Sequence, residues 1–164
     1  MRGGAGHTRL SAVAELRSEF LLQLRAEFDG EQVLGDTPLG TRRILHVKRG
    51  SFLGSRLRGE ILPGGGDWVL LRRDGVAQLD IRFTLRTDDD ELVYASSSGI
   101  SDIAPEVRQR IAQGTDVDPS EYYFRTALRF ETGAHEYLWL NRLLAVGVGK
   151  RTAAGMETEV FAIR

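Results

Sequence analysis

In the octet LDIRFTLR (Leu79 to Arg86) every second residue is apolar, and the same one-for-one alternation recurs along much of the chain. Successive strand side chains point to opposite faces, so each such run offers one face to a core and one to its surroundings. Turn residues cut the alternation into short pieces. DWVLLRR, then Asp74-Gly75, then VAQLDIRFTLRT reads as a hairpin, because Asp-Gly supplies the backbone conformation of a tight two-residue turn. TDDDELVYASSSG reads as a second hairpin with an acidic tip and a strand from Glu91 to Ser98.

Other strands are expected over Phe20 to Phe28, Thr41 to Gly50 and Ser55 to Pro63. DPSEYYFRTALRFETG and EYLWLNRLLAVGVGKR form another antiparallel pair joined near Gly133, and METEVFAIR closes the chain as a last strand. One segment breaks the rhythm. APEVRQRIAQG has Pro105 at a helix start, good helix formers and Gly114 as a stop, which predicts a single helix over Pro105 to Gln113. Eight to nine short strands with one short helix define an all-β chain, and a closed antiparallel β-barrel removes the exposed edges that a sandwich leaves. A doubly wound dinucleotide fold is excluded, since strands do not alternate with helices and no glycine loop opens a helix.

Composition narrows the function classes. Lys plus Arg (22) balances Asp plus Glu (23), so no global charge draws the chain to nucleic acid or to a membrane surface. Only Lys48 and Lys150 are lysines, and the remaining basic side chains are arginines, planar forks suited to carboxylate or phenolate oxygens. The chain has no cysteine, which removes disulfides, thiolate metal sites and cysteine nucleophiles together. His7, His46 and His135 show no ligand spacing, so no metal is expected. No apolar run reaches the roughly 20 residues of a membrane-spanning helix, and the N-terminus lacks a signal-type apolar core, so the cytoplasm is the expected compartment. Residues 1–19 read as a flexible extension, with a short helix capped by Ser11 or a linker as its alternatives, and residues 20–164 as the barrel domain.

The corner PGGGDW (Pro63 to Trp68) places three glycines directly before a strand. Glycine persists where the chain needs positive φ or close backbone approach, so the corner either makes a plain turn or aims Asp67 and Trp68. With Gly59, Asp80, Arg82, Tyr94, Gly99, Phe124-Arg125-Thr126, Phe130-Glu131-Thr132 and Tyr137 through Asn141, this corner resembles the domain-of-unknown-function family 3237 from about Phe20 to the C-terminus. The chain departs from the family pattern at Gly66, where alanine is usual, and at Asp89-Asp90-Glu91, where Asp-Gly is usual. The resemblance implies a small lipocalin-like antiparallel barrel, often oligomeric, and no agreed reaction.

Within such a barrel the candidate chemistry is carried by Asp67, Glu131, Arg82 and Arg125, with Trp68, Tyr94, Tyr137, Trp139 and Asn141 as candidate ligand contacts. A desolvated carboxylate can act as general base, and arginine or tyrosine can stabilise the oxyanion that forms. Aromatic rings supply flat walls. Asn141 is expected mid-strand, where asparagine is depleted, on one face with Tyr137 and Trp139. Strand alternation pulls the other way for the arginines: Arg82 lies opposite the Leu79, Ile81, Phe83 set, and Arg125 opposite Phe124 and Leu128. The family resemblance favours a pocket in which Asp67, Arg82, Arg125 and Asn141 converge. Each aromatic can equally be core, Asp67 can simply tie down the turn, and Glu131 can pair with an arginine structurally.

Three functions compete. The first is a cofactor-independent enzyme carrying out isomerisation, cyclisation or elimination on a small aromatic or polyketide-like carbonyl compound. The second is a non-catalytic carrier or sensor of a small acidic metabolite, and the third an oligomeric structural domain. The expected partners are a small molecule and further copies of the chain. A cavity containing both a carboxylate and an arginine separates the first from the others.

Overall fold

The computed structural model describes residues 14–164. Nine antiparallel strands form one ring-like sheet: β1 (Ser18–Thr37), β2 (Gly40–Gly54), β3 (Arg58–Ile61), β4 (Gly66–Leu71), β5 (Ala77–Thr87), β6 (Leu92–Asp102), β7 (Tyr123–Glu131), β8 (Ala145–Arg151) and β9 (Gly155–Ile163). The order β1-β9-β8-β7-β6-β5 is completed by β3 and β4, which both lie between β5 and β2, and β2 returns to β1. β3 and β4 therefore share one position in the wall. Pro63, Gly64 and Gly65 form a kink within that position rather than a hairpin. The kink needs its glycines: Gly64 has φ +99°, and a Cβ on Gly65 would lie 2.4 Å from the Arg82 carbonyl oxygen.

The barrel interior follows from the alternation. Leu79, Ile81, Phe83 and Leu85 of β5 meet Val93 and Ala95 of β6, Phe124 and Leu128 of β7, and Val160 of β9 in one buried core. The helix α1 (Pro105–Ala112) lies in the β6–β7 connection and turns Val107 and Ile111 inward. It covers the end of the barrel where the β4–β5 and β8–β9 hairpins open. No helix among the described residues is long and apolar enough to cross a membrane.

One expected strand is a helix. His135–Arg142 is a 3-10 helix, and β8 begins only at Ala145. HEYLWLN has no β-branched residue, and a three-residue step carries Tyr137, Leu140 and Leu143 onto the core: Leu140 is fully buried, and Tyr137 and Leu143, with Trp139 beside them, pack partly buried against it. This helix closes the end of the barrel opposite α1. β1 is also longer than expected, because beyond Glu27 it leaves β9 and continues to Thr37 paired with β2 alone. The expected N-terminal extension falls mostly on residues 1–13, outside the described residues.

Candidate functional site

Asp67 is the second residue of β4, and its side chain shares the inward face with Val69 and Leu71. It is fully buried. The β4–β5 ladder opens just beyond it: Asp67 opposes Ile81, pairing resumes at Leu70–Gln78, and across the gap the Asp80 N–H donates to Asp67 Oδ1 at 3.3 Å. The second oxygen, Oδ2, has no hydrogen-bond partner among the described residues. Burial pushes the carboxyl up from 3.8 to about 6, against the opposing pull of the Arg151 charge and of the Asp80 N–H. An interior carboxyl poised near neutrality is the clearest chemical feature of the barrel.

Val69 and Leu71, the next two inward residues of β4, line a cavity of about 330 Å³ beneath α1. Leu79, Ile103, Ile111 and Phe124 supply its apolar surface, and Ser101, Arg43, Arg108 and Arg151 its polar groups. A second chamber of about 380 Å³ adjoins it, sharing Arg43, Val69, Arg151, Thr152 and Ala153 and adding Phe28, Glu31 and Leu45. Arg151 ends the inward row of β8, after Ala145, Gly147 and Gly149. Gly149 makes room for a neighbour, since a Cβ there would lie 2.5 Å from the Phe124 ring. Burial pushes the Arg151 guanidinium down from its usual value, an effect that the Asp67 carboxylate opposes. Arg43 is held from the hairpin side by Glu31.

The convergence expected of Asp67, Arg82, Arg125 and Asn141 does not occur. Arg82 lies on the outer face of β5, more than half exposed and paired with Asp80 at 3.0 Å. Arg125 also points outward, donating to the Phe124 carbonyl and lying over the Tyr123 ring. Alternation along β5 and β7 decides both orientations, because the apolar partners of each strand claim the interior. Trp68 faces outward beneath the Arg82 guanidinium, and Tyr94 is exposed on the outer face of β6. Glu131, Tyr137, Trp139 and Asn141 sit at the end away from the cavity. Tyr137 donates to Asp89, Arg56 covers the Trp139 ring at 3.7 Å, and Asn141 exchanges two hydrogen bonds with the Thr132 backbone, each 2.9 Å. None of the nine expected residues lines the helix-covered cavity; Asp67 comes nearest in the fold, fully buried on the inward face of β4 one step from Val69 of the cavity wall.

Sequence reasoning missed Arg43, Arg108, Arg151 and Ser101. A signal for Arg151 was available in AVGVGKR, where the inward parity of small residues, Ala145, Gly147 and Gly149, leads to Arg151. Arg108 shares a helical face with Ile111 and Ala112, three and four positions on. Nothing local marks Arg43, because its inward direction depends on the pairing of β2 with β4.

The molecule has relatives of the same architecture. A UPF0311 protein of Rhodopseudomonas palustris is 31% identical over 148 residues, covering 90% of this chain and 97% of that protein. The crystal structure of a conserved protein of unknown function from the same species superposes with a TM-score of 0.84 at 30% identity, over 93% of this chain and 100% of the other. A β-barrel-like protein from Acinetobacter baumannii superposes at 0.81 with 32% identity, over 94% and 100%. An enzyme from Penicillium herquei shares the fold at 0.72 with 17% identity, over 94% and 98%. The family model described as Protein of unknown function (DUF3237) matches residues 16–163, and the chain belongs to that family.

Proposed function

We propose that the cleft under α1 binds a small organic molecule and that the protein converts it by cofactor-independent acid–base chemistry. The observation that carries this reading is the Asp67 carboxyl, buried one strand step below Val69 of the cavity wall, with Oδ2 unpartnered and a pKa near 6. Such a group takes a proton near neutral pH and returns it to a different atom or to a leaving group, the pattern of isomerisation, cyclisation or elimination at a carbonyl compound. The arginines of the wall, Arg43, Arg108 and Arg151, supply positive charge for the oxyanion that forms on the carbonyl oxygen. The Penicillium herquei enzyme supports the reading to the extent that a barrel of this architecture houses an enzyme.

Incubation with pools of phenolic and carbonyl metabolites, followed by mass spectrometry, tests the proposal. A compound consumed by the parent, and bound but not consumed by Asp67→Asn, is the expected result. Equal consumption by the variant would overturn the role of Asp67. A second reading, a carrier of the same kind of ligand, is favoured by one observation: among the described residues the inner chamber is lined by three arginines and no carboxylate. Binding without conversion by the parent would assign that role.

A further inference from the structure

We infer that the ligand carries a planar anionic oxygen group, a carboxylate or phenolate, on a compact apolar body, and that this group sits on Arg151 where the two chambers meet. The inference rests on the reading of the cleft as the binding site and adds its chemical class.

Several exposed arginines of this barrel find carboxylates. Arg49 pairs with Glu27, Arg58 with Asp88, Arg82 with Asp80, Arg86 with Glu60 and Arg110 with Glu121. Arg151 lies deeper than these, and among the described residues its side chain has neither an ion pair nor a hydrogen bond. Its electrostatic neighbours are Asp67, Tyr122 and Glu31, which favour its charge, and Arg43, which opposes it. Neither acid closes on it. Glu31 is engaged by Arg43, and Asp67 gives one oxygen to the Asp80 N–H and makes no hydrogen bond to Arg151. A guanidinium drawn out of water with no carboxylate in direct contact is costly, and charges that attract it only from a distance do not satisfy its N–H groups. A bidentate oxyanion from the ligand supplies the missing partner in the geometry a guanidinium fork prefers.

The surroundings specify the rest of the molecule. From Arg151 the inner chamber runs between Leu71, Leu79, Ile111 and Phe124, with Arg43 and Arg108 as further cations in its wall. A flat apolar body fits those side chains while its charged end stays at Arg151. A cavity of about 330 Å³ is at the small end of ligand sites, which favours one or two fused rings over an extended chain.

Isothermal titration with 2-naphthoate and with its neutral isostere 2-naphthamide tests the assignment on the full chain. The parent is expected to bind naphthoate at least about tenfold more tightly than naphthamide, the ratio of a charge-assisted hydrogen bond to a neutral one. That preference should disappear in Arg151→Met, which keeps the aliphatic stem, and persist in Arg82→Met, which alters only the outer face. Equal binding of the two compounds by the parent overturns the anionic class while leaving the cleft as a binding site. Failure of both to bind at millimolar concentration overturns the class together with the cleft reading. Full naphthoate affinity in Arg151→Met overturns the seat. If that variant does not fold, the naphthoate-to-naphthamide ratio of the parent and its decline with added salt decide the question.

Discussion

Replacing Asp67 by asparagine separates the electrostatics of the buried carboxyl from its role in the strand ladder. Its pKa is raised from 3.8 to about 6, so the folded protein holds this proton more tightly than the unfolded chain does. The contribution to stability is then most favourable below the unfolded value, declines as pH rises from 3.8 to about 6, and is level above that. At 1.36 kcal/mol for each tenfold change in proton affinity, ionising the buried group costs about 3 kcal/mol at neutral pH. Asparagine removes that cost. Its Oδ1 still accepts from the Asp80 N–H, but its amide nitrogen takes the place of an unpartnered oxygen, and an unsatisfied buried donor costs about 1–3 kcal/mol. The net expectation at pH 7 is a variant as stable as the parent or up to about 2 kcal/mol more stable, a gain of up to about 8 °C in Tm for a chain of this size. Urea titration of both proteins across pH checks the reasoning. The stability of the variant minus that of the parent should rise by about 2 kcal/mol or more between pH 4 and pH 7, because only the parent carries the titrating group. A difference that stays flat with pH would refute the perturbed carboxyl. A variant that loses several kcal/mol at pH 7 would show that Asp67 is held ionised by a partner and chiefly supports the fold.

Gly149→Ala should destabilise by about 1–3 kcal/mol in urea melts, because its Cβ would press on Phe124, a ring only 1% exposed with little room to move. At the corner, Gly65→Ala should cost more than Gly64→Ala. The former drives a Cβ against the Arg82 carbonyl, while the latter has open space and loses only about 1–2 kcal/mol for its positive φ. The reverse order by thermal denaturation would contradict the kink as described. Asn141→Ala removes both bonds to Thr132 and should lower stability by about 1–2 kcal/mol while leaving 2-naphthoate binding unchanged. A loss of ligand affinity in that variant would place Asn141 in the site after all.

Much of this fold is written in local patterns. The alternation of LDIRFTLR, the Asp74-Gly75 signal and the isolated APEVRQRIA segment specify strands, a hairpin and the one α-helix among the described residues, because side-chain direction in a strand depends only on parity. The hairpin itself turns over three residues, Arg73 to Gly75, rather than the expected two, with positive φ at Gly75 alone. Parity also placed Arg82 and Arg125 on the outer face, against the pocket that the family motif favoured. HEYLWLNR, expected as part of a strand, is a 3-10 helix, since a short apolar run fits a two-residue or a three-residue period and the core claims Leu140.

The site belongs to the tertiary structure. Asp67 sits beside glycines in the sequence, yet its pKa comes from burial by strands distant along the chain, and its one hydrogen bond comes from a gap in pairing with β5. Arg43, Arg108 and Arg151 are separated by about a hundred residues and share a cavity only because the barrel closes and α1 folds over its end. Alternation determines which side of a strand a residue occupies. Which strands meet, and therefore which charges are withdrawn from water together, is decided by ring closure.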